Sequence, residues 1–236
     1  MSQIHHPFTQ YINHYIKAPI KTIFDIGSRD LDESIAFSAA YPDAQIYAIE
    51  ANPEQKEECA NKALNYKNIN FYNTALSSVV GEIDFYAVIK EELKKLAHEQ
   101  HPPGPNIGAS SIYGHDDSYV KSVIESDGMF RCTEKKYKIP STTFDKFCID
   151  KGIKEIDAIW IDTQGSELEI YNSGIEIIKN TKIIHTETQY RKIYKGQPLI
   201  SDVREFFNKI GFIEVFNRYP DGPWETDLIL VNKKYL

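Results

Sequence analysis

Apolar and polar positions along the first third of the chain alternate between two periods. The β-branched runs "KTIFDIG" (21–27), "AQIYAIE" (44–50) and "INFYNTA" (69–75) have the length and composition of buried strands. Between them lie "LDESIAFSAAYP" and "PEQKEECANKALNY", which have helical character. In the first of these, Ile35 and Ala39 recur on one face with Leu31 one turn earlier. In the second, Pro53 suits a first helical position and Glu54 enriches the first turn. Strands and helices in strict alternation with short connections predict a parallel sheet covered by helices.

The alternation breaks between Val88 and Phe130. "KEELKKLAHEQ" (90–100) reads as a solvated helix, "HPPGPNIG" (101–108) as a loop, and "ASSIYGHDDSYV" (109–120) as a polar, aromatic segment. So long a connection inside a compact domain reads as a lid or binding loop. Regularity returns with "KKYKIPSTTFDKFC", an extended piece running into a helix. It continues with the buried strand of "EIDAIWIDTQG", the helix "SELEIYNSG" stopped by Gly174, the strand "TKIIHTETQY" and the amphipathic helix "LISDVREFFNKIG". Two final strand-like runs, "FIEVFNR" and "TDLILVN", flank the turn-rich "YPDGPWE" and predict a terminal antiparallel pair.

With 236 residues the chain is read as one domain, 1–236, with a helical extension at 1–20 and an insertion at 88–130. A net charge of −7 tells against a nucleic-acid surface. Three cysteines without metal-type spacing point to reduced thiols. The opening "MSQIHHPFTQYINHY" lacks the apolar run of a signal peptide, and no stretch approaches the ~20 apolar residues of a membrane span. A cytoplasmic protein with no membrane partner is the expectation.

In open parallel sheets ligands bind at the carboxyl ends of the strands. The first strand offers Asp25, Gly27 and Asp30 there, the second Glu50, Ala51 and Asn52, and the third Asn73, Thr74 and Ala75. Later strands offer Asp162 with Gln164, and His185 with Glu187. Glu50, at the second strand's tip, is placed to accept hydrogen bonds from both hydroxyls of an adenosine ribose. Gly27 is followed by Ser28, Arg29, Asp30 and Leu31, so the second and third glycines of a pyrophosphate-binding loop are missing. A cofactor without phosphate, S-adenosylmethionine (SAM), asks less of that loop, and one glycine suffices for close approach. An antiparallel pair closing a parallel sheet is, by analogy, the usual end of the SAM methyltransferase fold.

Seven segments in order, from about Thr22 to Gly211, together resemble the FkbM-type SAM-dependent methyltransferases. They are "FDIGSRDLDES", "IYAIEANP", "NTALSS…GEIDFYA", "ASSIY", "IPSTTFDKF", "IDAIWIDTQGSELEIYNSG" and "IYKGQPLISDVREFFNKIGF". The segment "IDTQGSELE" is similar to that family's Asp-x-(Glu/Gln)-Gly-x-Glu pattern. The resemblance implies a Rossmann-like class I methyltransferase fold of the α/β class, with helices on both faces of a mostly parallel sheet and a C-terminal antiparallel hairpin. It also implies methyl transfer from SAM to a hydroxyl, often of a sugar or hydroxylated natural product, with release of S-adenosylhomocysteine. The cofactor-binding set it suggests is Asp25, Gly27, Ser28, Arg29, Asp30, Glu50, Ala51, Asn52, Asn73, Thr74, Ala75, Ser111 and Asp162. The chain departs from the family at Arg29, where asparagine is usual, and at Leu31, where the next glycine would fall. Leu31 would limit how closely the helix start approaches the methionine half of SAM. Arg29 is open to two readings, a partner for the SAM carboxylate or a surface ion pair with Asp30 or Asp32.

An alcohol is a poor nucleophile while protonated, so the transfer benefits from a nearby base. Asp162, His185 and Glu187 are the catalytic candidates, with His185 or Asp162 as base and Glu187 orienting the acceptor. A hydrogen-bonded core histidine is the other reading of His185. Asp162, Glu187 and the loop residues His115, Asp116 and Asp117 are too dispersed to fix a coordination geometry, so a divalent metal is not favoured. Ser110, Ser111, Tyr113, Tyr190, Tyr219 and Trp224 on loops suit a sugar-stacking platform. Two alternatives stand beside the glycan or small-molecule reading: ribose 2′-O-methylation of RNA, and a non-catalytic module on the same fold. Oligomeric state is not legible.

Overall fold

A computed structural model describes residues 6–88, 107–127, 132 and 134–236. The solvated helix read at 90–100, and the loop at 101–106, lie outside the described residues. A seven-stranded sheet runs in the order β3-β2-β1-β7-β8-β10-β9. Its strands are β1 (Thr22–Ile26), β2 (Gln45–Ile49), β3 (Ile69–Tyr72), β7 (Ile156–Ile161), β8 (Thr181–Gln189), β9 (Phe212–Asn217) and β10 (Glu225–Asn232). The first five are parallel, and β10 pairs antiparallel with both β8 and β9. The expected terminal pair is therefore present, with its second strand inserted between the first and the parallel body.

Each face of the sheet carries its own core. One gathers Phe24, Phe144, Ile159, Tyr171, Ile184 and Phe207. The other gathers Phe8, Ile23, Phe37, Ile46, Ala158 and Ile183. Alternation along β1, where Ile23 and Phe24 enter opposite cores, is the period of two that a doubly covered strand requires. The N-terminal helix α1 (Pro7–Tyr15) starts with Pro7 in its first turn, and the His6 ring accepts from the Phe8 N–H. Its buried Phe8 and Ile12 cover the second core.

Helix α2 (Asp32–Ala40) turns a different face inward than its apolar spacing suggests. Ser34, Phe37 and Ser38 are buried, Ala39 is exposed and Ile35 only half-buried. The reason is polar: Ser34 Oγ donates to Asp25 (2.5 Å), and Ser38 Oγ to Asn68 (2.6 Å). Gly174 follows the helix Glu167–Ser173 with φ −130°, so it is no left-handed cap. A Cβ there would lie 2.7 Å from that of Phe144, and close packing is what demands glycine.

A small second sheet, in the order β4-β6-β5, has no counterpart in the sequence reading. It comprises β4 (Ala75–Leu76), β5 (Gly81–Val88) and β6 (Glu134–Thr142). Strands β5 and β6 pair antiparallel from Gly81↔Ser141 to Val88↔Glu134. The long connection therefore leaves and rejoins the sheet at neighbouring positions. Within it Ser111 exchanges backbone hydrogen bonds with Tyr86 (2.8 and 3.1 Å), and helix α3 (Asp117–Asp127) follows.

Candidate active site

The carboxyl ends of β1, β2 and β7 meet at a cavity of about 570 Å³, counting its open mouth. The turn after β1 is drawn tight by the Gly27 and Ser28 N–H groups, which both donate to the Ile49 carbonyl (2.8 and 3.1 Å). Gly27 has φ +83°, and a Cβ on it would lie 1.9 Å from the Asp162 carbonyl oxygen. One glycine is thus obligatory, because the turn lies against the backbone leaving β7.

The position where a further glycine was expected keeps the glycine-like backbone without the glycine. Leu31 has φ +68°, and its side chain is fully buried in the second core. It lines neither cavity, so the restriction expected of it is not the arrangement found: the side chain turns away into the interior. Arg29, also left-handed at φ +46°, stays at the surface. Its Nε lies 3.3 Å from Asp30 Oδ2, while its residue lines this cavity and the one beside it.

Glu50 closes the cavity's floor. Its Oε2 accepts from the Arg29 N–H (2.7 Å) and its Oε1 from the Asn52 N–H (2.6 Å). Burial raises its pKa, and those two bonds pull it back down. Gly27, Arg29, Glu50, Ala51, Asn52, Thr74, Ala75 and Asp162, all expected from sequence, line this cavity. Asp25, Ser28, Asp30, Asn73 and Ser111 do not. Asp25 is buried beneath the turn, where loss of hydration pushes its carboxyl up to about 8. Ser28 is buried as well, and Asp30 lies beside Arg29. Asn73 buttresses from behind, its Nδ2 donating to the Glu50 (2.8 Å) and Asn52 (3.2 Å) carbonyls. Ser111 Oγ donates to the Gln164 carbonyl (2.8 Å), while its neighbour Ser110 lines the wall. Sequence reasoning missed the apolar wall of Ile49, Leu76, Phe85 and Ile112, which is assembled from strands of both sheets and from the insertion.

A second, polar cavity of about 630 Å³ adjoins the first through Gly27, Arg29, Gly108 and Asp162. Its other lining residues are Glu33, Trp160, Gln164, Glu187 and Glu225. The "DTQGSELE" segment divides its labour around it. Asp162 and Gln164 face the cavity. Glu167 folds the turn, accepting from the Thr163 N–H (2.8 Å) and hydroxyl (3.0 Å). Glu169 accepts from Ser78 Oγ (2.7 Å) and Tyr113 Oη (2.5 Å), tying the insertion down. The Gln164 Nε2 donates to Asp162 Oδ1 (2.6 Å) and Glu187 Oε2 (3.0 Å). Burial, reinforced by Glu167, pushes Asp162 up to about 7. Burial, reinforced by Asp162, raises Glu187 well above the ordinary carboxylate range.

His185 lies elsewhere. Its ring stacks on Trp160 at 3.4 Å between centroids and is covered by Phe8, and it lines neither cavity. Strand β8 does put His185 and Glu187 on one face, but α1 covers that face at the histidine and leaves it open at the glutamate. Burial holds the ring neutral, so its 3.5 Å approach to Asp227 is not an ion pair. No group of three or more metal-ligating side chains converges among the described residues. His115, expected in a loose acidic loop, instead packs buried against Glu134 and Tyr194. Of the aromatics, Trp224 meets Tyr119 edge-on and Arg191 by cation–π contact, while Tyr190 Oη donates to carbonyls of the β9–β10 turn.

Among proteins of known activity, the chain is 24% identical over 221 residues to the 2-O-methyltransferase NoeI of Sinorhizobium fredii (strain NBRC 101917 / NGR234), covering 93% of this chain and 82% of that protein. The crystal structure of methyltransferase FkbM from Methylobacillus flagellatus KT superimposes with a TM-score of 0.51 at 10% identity, over 90% of this chain and 44% of the other. That likeness speaks for the fold. The model of the methyltransferase FkbM domain matches residues 25–214, and the chain belongs to that family of SAM-dependent methyltransferases.

Proposed function

We propose that this protein is an O-methyltransferase that modifies a hydroxyl of a sugar, glycan or other polyol in the cytoplasm. The observation that carries the reading is a polar cavity bearing Asp162 and Glu187 beside the cavity floored by Glu50. The relative's name, a 2-O-methyltransferase, is in keeping with an oxygen acceptor. SAM fits the first cavity by its chemistry: the Glu50 carboxylate for the ribose hydroxyls, an apolar wall for the adenine, and the Arg29 guanidinium for the carboxylate. Bound there, SAM supplies an electrophilic methyl on a sulfonium centre.

The chain's own groups then hold the acceptor and take its proton. With SAM bound, the Asp162–Glu187 pair would take the acceptor's hydroxyl proton as the methyl passes from sulfur to the acceptor oxygen, leaving S-adenosylhomocysteine. We assign the proton to the carboxylates because His185 is walled off behind Trp160. Trp160 offers an apolar surface beside polar groups, as sugar sites do. In this reading the chain is a single methyltransferase domain, and the described part of the insertion contributes Ile107, Gly108, Ser110 and Ile112 to the cofactor cavity. Cys59 and Cys148 are buried free thiols, which accords with a reducing compartment.

Methylation of RNA ribose is disfavoured by the second cavity's lining, which sets Arg29 as its described cation among Glu33, Asp162, Glu187 and Glu225 and so offers little to hold phosphates. Isothermal titration with SAM is the first test, and no heat at high micromolar ligand sinks the enzyme reading. A panel of sugars and polyols with S-adenosylhomocysteine release as readout separates an enzyme from a non-catalytic module.

A further inference from the structure

Gln164 is a strained residue in an otherwise orderly turn. Its φ of +58° lies in the left-handed region that residues with a Cβ avoid, and glycine follows it directly. Such a backbone persists only where the surroundings hold it, and here they hold every polar group of the residue's amide side chain. The Tyr194 hydroxyl donates to Oε1 at 2.6 Å. Nε2 donates to Asp162 Oδ1 and Glu187 Oε2 at 2.6 and 3.0 Å. The amide is oriented with its two N–H groups toward the carboxyl oxygens of Asp162 and Glu187 and its oxygen toward the Tyr194 hydroxyl. The carbonyl of the same residue accepts from Ser111 Oγ, which belongs to the insertion.

We propose that Gln164 is a positioning residue that joins Asp162 and Glu187 into one proton acceptor, and that Ser111 and Tyr194 hold it to that task. The proposal rests on the assignment of the proton to those carboxylates made above. One nitrogen with two hydrogens spans the pair, so neither carboxylate can swing toward the acceptor without releasing the amide. Two carboxylates held this closely do not ionise independently, and their protons leave in two coupled steps. The described titratable groups around them are Glu167 on the helix after β7, Glu225 and Asp227 on β10, Glu33 on α2, Arg29 on the turn after β1 and Tyr194 on the loop after β8. Acidic groups dominate that set and favour the protonated state, which the Gln164 N–H groups oppose. Glu187 Oε2 has a second donor in Gln189 Nε2 (3.0 Å), whereas among the described residues Gln164 is the side-chain donor to Asp162. Gln189 is itself held by Gln197 Nε2 (3.0 Å), from the "YKGQPL" segment.

The test follows the carboxyl carbons of Asp162 and Glu187 by 13C NMR as the whole chain is titrated, without SAM, in the parent protein and in Gln164→Asn. Asparagine tolerates the left-handed backbone but is one methylene too short to span both partners. In the parent, the two carboxyls titrate together above the ordinary carboxylate range. In Gln164→Asn, Asp162 moves up by about one pH unit and Glu187 by less. Tyr194→Phe and Ser111→Ala move Asp162 in the same direction by a smaller amount, and they serve if the asparagine variant does not fold. A folded Gln164→Asn, or folded Tyr194→Phe and Ser111→Ala, in which both carboxyls titrate as in the parent overturns the proposal. So does independent, single-step titration of the two in the parent. Because no cofactor enters the measurement, a protein that shows the shifts yet binds no SAM refutes the methyltransferase function and leaves the coupling standing. Unshifted carboxyls in a protein that binds SAM and turns over do the reverse.

Discussion

Replacing Leu31 sets two large effects against each other, and their balance distinguishes this turn from an ordinary helix start. The side chain is fully buried among Phe37, Cys59 and their neighbours, so truncation to alanine forfeits about 2–5 kcal/mol. The backbone, at φ +68°, costs roughly 1–2 kcal/mol for any residue bearing a Cβ and nothing for glycine. Leu31→Ala keeps the strain and loses the packing, whereas Leu31→Gly loses the packing and relieves the strain. Glycine at 31 is therefore the more stable of the two variants by about 1 kcal/mol, although at a right-handed helical position alanine wins by roughly that amount. Equilibrium urea unfolding of both variants measures the difference. The reasoning is refuted if Leu31→Ala proves the more stable. SAM affinity, read by calorimetry, stays within about twofold of the parent in both, since a residue outside the cavity has no contact with ligand to lose.

Other expectations follow from the same geometry. Glu50→Ala removes the acceptor for two N–H groups as well as the ribose partner, and lowers SAM affinity by at least about tenfold; unchanged affinity in calorimetry refutes the ribose contact. Asp25 carries its proton up to about pH 8 in the folded chain against an ordinary 3.8, so its contribution is fully present below about pH 4 and is lost as pH rises through 8. Asp25→Asn then stabilises the protein at pH 8 relative to the parent and flattens the pH dependence of Tm between those limits; parallel curves for the two proteins count against a neutral Asp25. Gly174→Ala drives a methyl into Phe144 and lowers stability by about 1–3 kcal/mol in urea unfolding, and an unaltered midpoint shows that the ring yields freely.

What the sequence made legible was whatever is written in local periodicity. The runs around Phe24, Tyr47 and Ile159 sit in strands of the large sheet, and the order of those strands and helices pointed to parallel pairing. Long-range pairing was less visible. Strand β6 is legible as the extended piece that opens "KKYKIPSTT", but its partner is not: it pairs antiparallel with β5, where Asp84 meets both Lys136 and Lys138 (2.8 and 2.7 Å). Helix α2 was assigned the wrong inward face because serines that hydrogen-bond into the sheet look polar in isolation. His185 and Glu187 shared a face as their spacing requires, but spacing cannot say where along that face a distant helix comes to rest. Tyr194 and Gln197 were visible only as part of a resembling segment, and their hydrogen bonds to Gln164 and Gln189 depend on the loop after β8 folding back to Gln164.

The pairing of Val88 with Glu134 has an evolutionary consequence. Chain that departs and returns across a single antiparallel rung has both ends fixed about 5 Å apart, whatever lies between. Lengthening it costs only about 0.6 kcal/mol per doubling in closure entropy. Length can therefore change within the connection while β1, β2 and β7 keep their register, provided Ser111 and Tyr113 keep their hydrogen bonds to Gln164 and Glu169. Variation at that rung is confined by those two anchors, which tie the connection to the segment after β7.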